Sequence, residues 1–135
     1  MIDRNKSDVE TLIHDGANVN ITIHNTNPLV IASQENYIDI VTLLLENDAD
    51  INLRNTNDNS TALCAAANKG HLDIVTLLLQ NNADVNIARN TDDVTPLYIA
   101  TYNKFPQIVN KLLEYKANPN LASNGYTTLQ IAVLN

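Results

Sequence analysis

The sequence is short of the residues that build many catalytic and metal-binding sites. It has one cysteine, Cys64, three glycines and no tryptophan in 135 residues. A single cysteine excludes an internal disulfide bond and a cysteine cluster for zinc. The scarcity of glycine leaves no glycine-rich loop that could hold a phosphate group. The single cysteine also favours a reducing environment inside a cell.

Positive charge and long apolar runs are scarce as well. Eight scattered Lys and Arg face fifteen Asp and Glu, for a net charge of −7. Binding to nucleic acid requires clustered cations, so we predict no nucleic-acid partner. No apolar run approaches the roughly 18 residues of a membrane helix, and the first residues, MIDRNKSDVE, lack the apolar segment of a signal peptide. We therefore expect no membrane association and a cytoplasmic location, with secretion as an effector left open.

The sequence is rich in repetition instead. Residues 37–52 read YIDIVTLLLENDADIN and residues 71–86 read HLDIVTLLLQNNADVN, with eleven of sixteen positions identical. The two stretches begin 34 residues apart. A related phrase precedes each leucine-rich stretch, and it occurs four times: NPLVIA (27–32), TALCAA (61–66), TPLYIA (95–100) and TTLQIA (127–132). A fixed period of this length predicts stacked structural units and not a duplicated site.

Each unit carries the signals of two helices. Asn27-Pro28 and Thr95-Pro96 place a capping side chain before a proline, which is typical of a helix start. The following stretch has polar residues at i, i+3 and i+7, as in Asp73, Thr76 and Gln80, with apolar residues between them. This spacing predicts a second helix with one narrow polar stripe. The polar segments between units predict small hairpins. One unit alone cannot bury enough surface to fold, so we predict an all-α repeat solenoid.

These phrases carry a resemblance to a known family. TPLYIA and residues 61–86, TALCAAANKGHLDIVTLLLQNNADVN, resemble the ankyrin repeat, whose signature begins T-P-L-H and whose period is about 33. The resemblance implies ankyrin-type helix-turn-helix units joined by hairpin-like loops. We predict a single array over residues 1–135, with a half repeat at 1–20, full repeats at about 21–52, 53–86 and 87–120, and a half repeat at 121–135.

The sequence offers no convincing catalytic constellation. His14, His24 and His71 share no ligand spacing, and Cys64 occupies an apolar slot without a matched histidine. We therefore predict a protein that is not an enzyme, with no catalytic residue, metal or cofactor. The resemblance raises one modification, because the Asn that ends the D-V-N phrase can be hydroxylated in ankyrin proteins of animal cells. Asn52 and Asn86 match that position.

The resemblance implies that a protein partner docks on the concave face, on the hairpin tips and the exposed ends of the first helices. Because the repeats align equivalent positions, that surface can be named from the sequence. Interface anchors are often aromatic, and the aromatic residues of the last 38 positions include Tyr102 and Tyr126. The candidate partner-binding residues are Ser60, Asn68, Lys69, Arg89, Asp92, Val94, Tyr102, Asn103 and Tyr126.

Three functions remain open at this point. The leading prediction is a non-enzymatic protein–protein interaction module that presents a concave ankyrin surface to a protein partner, as a monomer or with weak end-to-end association. The alternatives are an ankyrin scaffold segment of a larger protein, such as an enzyme or a channel, and a pathogen or viral effector. The sequence does not identify the partner, because a fold does not by itself imply a function.

Overall fold

A computed structural model describes residues 4–89 and 93–135 of the chain. These residues form eight helices and one two-stranded hairpin. In chain order they are α1 (Arg4–His14), α2 (Pro28–Gln34), α3 (Ile38–Glu46), α4 (Ala62–Lys69), α5 (Leu72–Gln80), α6 (Pro96–Tyr102), α7 (Pro106–Glu114), β1 (Ala122–Ser123), β2 (Tyr126–Thr127) and α8 (Thr128–Leu134). None of these helices is long and apolar enough to cross a membrane.

The helices form two layers that run along the array. Helices α2, α4, α6 and α8 contact one another in sequence order and form the first layer, whereas α1, α3, α5 and α7 form the second. Within a unit the two layers meet where α2 packs on α3, α4 on α5 and α6 on α7. Isolated helices of seven to eleven residues are marginal in water, so packing between neighbours stabilises them. The architecture confirms the predicted all-α repeat solenoid.

Leucine side chains hold the two layers together. The second-layer helices carry a repeated triplet, LLL at 43–45 and 77–79 and KLL at 111–113. The middle leucine of each triplet is buried, and so is the leucine two positions after the cap of α2, α4 and α6. These residues are Leu44, Leu78 and Leu112 in the second layer and Leu29, Leu63 and Leu97 in the first. The repeated phrases of the sequence therefore mark the residues that must pack.

The predicted helix starts are present and are closed by side-chain caps. The Asn27 side chain accepts a hydrogen bond from the backbone N–H of Val30 at 3.1 Å, and Thr95 Oγ1 accepts one from Tyr98 at 3.2 Å. Pro28 and Pro96 begin their helices, where the missing N–H costs nothing because it has no partner in a helix anyway. Each capped helix thus begins where the sequence predicts.

The turn between the two helices of a unit needs a left-handed residue. Asn36, Gly70 and Lys104 occupy this position with φ angles of 64°, 80° and 61°. Glycine and asparagine adopt this conformation most easily, and Lys104 adopts it although its side chain suits it less well. At Gly70 there is a second demand, because the Phe105 ring of the next unit lies against its α-carbon.

Short hairpins project from the ends of the first-layer helices. Backbone pairing joins Ile23 to Thr26, Asn55 to Ser60, Arg89 to Val94, and Ser123 to Tyr126. Asn124-Gly125 has φ angles of 52° and 77°, which is the backbone pattern of a type I′ hairpin turn. We call the surface formed by these hairpins and the C-terminal ends of α2, α4 and α6 the hairpin face.

Asparagines connect each unit to the next. A short polar phrase follows each second-layer helix: ANVN (17–20), ADIN (49–52), ADVN (83–86) and ANPN (117–120). The Asn that ends each of the first three phrases accepts a hydrogen bond, through its side-chain oxygen, from a backbone N–H one unit later. The pairs are Asn20 with Asp50 at 2.7 Å, Asn52 with Asp84 at 2.9 Å and Asn86 with Asn118 at 2.8 Å. We call this series the asparagine ladder. Asn52 and Asn86, which the family resemblance marks for hydroxylation, are therefore structural residues of the array.

Candidate partner-binding surface

A pocket of about 280 Å³ lies on the hairpin face at the C-terminal ends of α4 and α6. Residues of both helices and of the last hairpin line it, together with Arg89 and Val94, whose backbones pair with each other. The lining residues are Asn68, Arg89, Val94, Tyr98, Ile99, Tyr102, Asn103 and Asn124. Small-molecule sites usually occupy about 300–1,000 Å³, so this pocket fits one or two side chains of a partner better than it fits a cofactor.

Two tyrosines form the aromatic wall of the pocket. Tyr98 and Tyr102 are four residues apart on α6, so they lie on the same side of the helix. Their ring centroids are 6.3 Å apart and the ring planes differ by 7°. Tyr98 is buried, whereas Tyr102 is 60% exposed. The buried ring therefore supports the exposed one, which loses little freedom when a partner covers it.

Amide groups form the opposite part of the pocket. The side-chain nitrogen of Asn103 donates hydrogen bonds to the backbone oxygen of Asn68 at 3.3 Å and to its side-chain oxygen at 3.2 Å. These contacts join the ends of α6 and α4, so two neighbouring units fix the shape of the pocket. Arg89 is the cation among the lining residues. The site therefore offers an aromatic surface, amide groups and one positive charge.

The structure brings five of the nine sequence-predicted residues together in this pocket. They are Asn68, Arg89, Val94, Tyr102 and Asn103. The expectation that Val94 presents an exposed side chain is wrong, because Val94 is only 2% exposed. Its backbone pairs with Arg89 in the hairpin, and its side chain belongs to the core. Val94 therefore shapes the floor of the pocket.

The expectation that Ser60 is exposed is also wrong. Ser60 is buried; its hydroxyl donates to Asp58 Oδ2 at 2.8 Å, and its backbone N–H lies 3.1 Å from Asp58 Oδ1 and 3.0 Å from Asn55 Oδ1. Burial alone would raise the pKa of Asp58, but the hydrogen bonds from Ser60, the Asn55 side chain and the charge of Arg89 outweigh it and leave the pKa below its ordinary value. Ser60 thus orders its hairpin from within.

Asp58 gives this hairpin a predictable pH dependence. Because its pKa is lower in the folded chain than the ordinary 3.8, its contribution to stability is complete above that value and is lost as the pH falls through the folded-state pKa. We expect Asp58→Asn to lower the free energy of unfolding at pH 7 by less than about 1 kcal/mol, since the carboxylate is partly exposed. The loss should shrink at pH 3 in urea titrations, with Glu46→Gln as the control for one lost charge. An equal loss at both pH values would contradict this account of Asp58.

The remaining predicted residues lie apart from the pocket. Lys69 is exposed and lines a smaller depression beside it, of about 70 Å³, with Asp58 and Arg89. Tyr126 is exposed but lies with Leu129 and Val133 at the C-terminal end of the array. Asp92 lies outside the described residues. The structure thus separates Tyr102 from Tyr126, although the sequence predicts both on one concave binding surface.

Two of the residues considered for a catalytic role, Cys64 and His71, lie in surroundings that suit a structural role. Burial raises the pKa of the Cys64 thiol, so the reactive thiolate is disfavoured. His71 Nε2 lies 3.0 Å from the backbone oxygen of Gln34 in the preceding unit, so this side chain joins two units of the array. Among residues 4–89 and 93–135, no group of three or more His, Cys, Asp or Glu side chains could hold a metal ion.

Comparison with known proteins identifies the family. A family model described as ankyrin repeats (3 copies) matches residues 2–55 and 52–123. The chain belongs to the ankyrin repeat family. Ankyrin repeat domains are generally protein–protein interaction modules and are typically non-enzymatic. No curated protein matches the chain.

Three lining residues of the ankyrin pocket were missed by the sequence prediction. They are Tyr98, Ile99 and Asn124. The Asn124-Gly125 pair does predict a tight hairpin. The direction in which that hairpin leans depends on its contact with the preceding unit, where Ser123 Oγ donates to the backbone oxygen of Asp93 at 2.7 Å. No local signal in the sequence carries that contact.

Proposed function

We propose that this ankyrin array is a non-enzymatic interaction module that binds a protein partner on its concave hairpin face, with the pocket around Tyr102 as the principal contact. The observation that carries the proposal is the convergence of Tyr102, Arg89, Asn68 and Asn103 at one junction between units. Exposed aromatic and arginine side chains are enriched among residues whose loss weakens protein complexes most.

The composition of the pocket suggests what it receives. The exposed Tyr102 ring offers a flat apolar surface, and the amides of Asn68, Asn103 and Asn124 offer hydrogen-bond donors and acceptors. A peptide segment has the same two needs, because it presents backbone N–H and C=O groups along with side chains. An extended or loop segment of a partner protein, with one apolar side chain over Tyr102, therefore fits the site.

The test is a comparison of affinity between variants of the array. For a partner protein captured on immobilised wild-type array, we expect Tyr102→Ala to weaken binding by about tenfold or more, as for a central aromatic anchor. Arg89→Ala should also weaken it. Titration calorimetry on the purified pair measures both effects. The fold should survive in Tyr102→Ala, because that side chain is largely exposed.

Gln80→Ala is the matched control for this test. Gln80 is exposed at the end of α5, on the second layer, and it lines none of the hairpin-face pockets. Its replacement should leave the affinity within about twofold, as for residues outside a binding hot spot. If Tyr102→Ala also stayed within that range while circular dichroism showed an intact fold, the pocket would not be the binding site.

A further inference from the structure

The N-terminal end of the array exposes residues whose equivalents are buried. Leu12 in α1 occupies the place of Leu44 and Leu78 in the later second-layer helices. Leu12 is 59% exposed, whereas both equivalents are buried. In the first layer, Ile31 of α2 is exposed, but its equivalent Ile99 in α6 is buried. These residues form an apolar face that, within the described chain, has no neighbouring unit before it.

The C-terminal end of the array also exposes apolar residues, here on and beside a first-layer helix. Leu129 in α8 occupies the place of Leu97, which is buried, but Leu129 is 72% exposed. It borders an apolar groove of about 580 Å³ lined by residues of α6, α7 and α8, including Phe105, Val109 and Leu113. In the full units a second-layer helix lies against the first-layer helix of the same unit. The groove therefore lies where the full units place their second-layer helix.

The two ends are the two halves of one unit. Helix α8 has the cap, the leucine and the alanine of a first-layer helix, with Thr127 as its cap. Helix α1 packs on α3 as the second-layer helices pack on one another, and the described chain gives it no first-layer partner. A second-layer helix such as α1 is what the groove beside α8 would receive.

The asparagine ladder continues across the same junction. Asn120 ends the last polar phrase, at the position of Asn52 and Asn86. Within the described residues, its side-chain oxygen accepts no hydrogen bond from a following unit. At the other end, the backbone N–H of Asn18 has the position of the ladder donors, Asp50 and Asp84, and the described residues offer it no acceptor. Within the described residues, the Asn120 side-chain oxygen at one end and the Asn18 N–H at the other are therefore an acceptor and a donor at matching positions of the ladder.

One charge on α1 also has a counterpart at the groove. Asp8 stands where α5 has the buried Ile74, so a docked α1 would place this carboxylate close to the groove. In the full units, Phe105 at the start of α7 lies against Gly70, the turn residue of the unit before it. By the same register, the first turn of a docked α1 lies near Lys104, which lines the groove. Lys104 Nζ donates to the backbone oxygen of Asn135 at 3.3 Å in the single chain, so a pair with Asp8 would form by exchange of that contact for the carboxylate.

We propose that the chain associates with itself head to tail, with α1 of a second copy filling the groove beside α8. The occupant is the second copy's own second-layer helix, so the two half units complete one full unit. Leu12 then covers Leu129, and Asn120 accepts from Asn18 of the second copy. Such a contact joins two different surfaces and leaves one of each free, so it extends into an open stack unless its curvature closes it.

Two end variants test the proposal by complementation. Leu12→Glu blocks the N-terminal face and Leu129→Glu blocks the groove, and both residues are largely exposed, so each variant should fold. Sedimentation velocity of the wild type should show a mass that rises with concentration beyond twice 14.9 kDa. Each variant alone should associate about tenfold more weakly or worse. An equimolar mixture should regain association but stop at the dimer, because the only intact faces are one groove and one α1.

Each other outcome overturns the proposal. If the wild type stayed monomeric up to about 1 mM, self-association would be too weak to support the proposal. Self-association of Leu12→Glu as strong as that of the wild type would indicate a symmetric contact between two grooves, and a monomeric mixture would exclude the head-to-tail contact. Gln80→Glu, which adds one negative charge in the middle of the array, should associate like the wild type. Equal disruption by Gln80→Glu would assign the effect to charge repulsion in a chain of net charge −7.

A further variant tests the junction between copies without changing any apolar side chain. Asn120→Ala keeps both apolar faces and removes only the ladder acceptor at the junction. A lost hydrogen bond of this kind weakens an interaction by about fivefold to tenfold. An unchanged association constant for Asn120→Ala in the same experiment would contradict the ladder contact between copies.

Discussion

Replacing Leu78 by alanine is expected to lower the free energy of unfolding by about 2–5 kcal/mol. Leu78 lies in the middle of α5 and is completely buried. Its side chain fills the space between the two helix layers of a central unit, with neighbours on both sides. Alanine would leave a cavity that these neighbours cannot close without losing their own contacts, and the cost of such a cavity adds to the lost burial of the leucine.

Urea denaturation followed by far-UV circular dichroism measures this effect. Leu12→Ala is the matched control, because Leu12 holds the same place in α1 but is mostly exposed. At low protein concentration, that replacement should cost less than about 1 kcal/mol. A cost for Leu78→Ala below about half a kcal/mol would mean that the leucine triplets do not form the packed interior of the array.

Replacing Gly70 by alanine is expected to cost about 2 kcal/mol, because two separate penalties fall on one atom. The left-handed backbone, with φ at 80°, costs a residue with a β-carbon roughly 1–2 kcal/mol. The new β-carbon would also lie 2.8 Å from Cζ of Phe105, which is closer than van der Waals contact allows. The ring must therefore shift out of its place between two units.

A double-mutant cycle separates the two penalties. In a Phe105→Leu background the ring is absent, so the cost of Gly70→Ala should fall to that of the backbone conformation alone. We expect a coupling energy between the two sites of about 1 kcal/mol, within the range found for residues in contact. Additive costs in urea denaturation would show that the contact between Gly70 and Phe105 carries no energy.

The sequence allows much of this fold to be predicted because the fold depends on local, repeated signals. The Asn27 and Thr95 caps, the polar stripe of Asp73 and Thr76 and the left-handed Gly70 each act within a few residues. A period of 34 residues then repeats them, so one correct unit predicts the others. The family match confirms the resemblance that these phrases carry.

The candidate site was less predictable because it depends on contacts between units. Ser60 and Val94 precede their helix caps at positions expected to be exposed, but hairpin hydrogen bonds and core packing bury both. Tyr126 differs from Tyr102 because no following unit in the described chain covers its neighbours. The sequence also gives no local signal for the asparagine ladder, because its side chains form hydrogen bonds with residues of the next unit, about 30 positions along the chain.

The central claim is that specificity lies on the hairpin face and not on the repeated second-layer helices. One crosslinking measurement tests this claim directly. A photo-crosslinking amino acid placed at position 102 samples the pocket, and the same group at position 80 samples the outer side of α5. On irradiation with its bound partner, the array should form a covalent protein adduct from position 102 and none above background from position 80. An adduct from position 80 alone, or equal yields from both positions, would contradict the assignment of the binding surface.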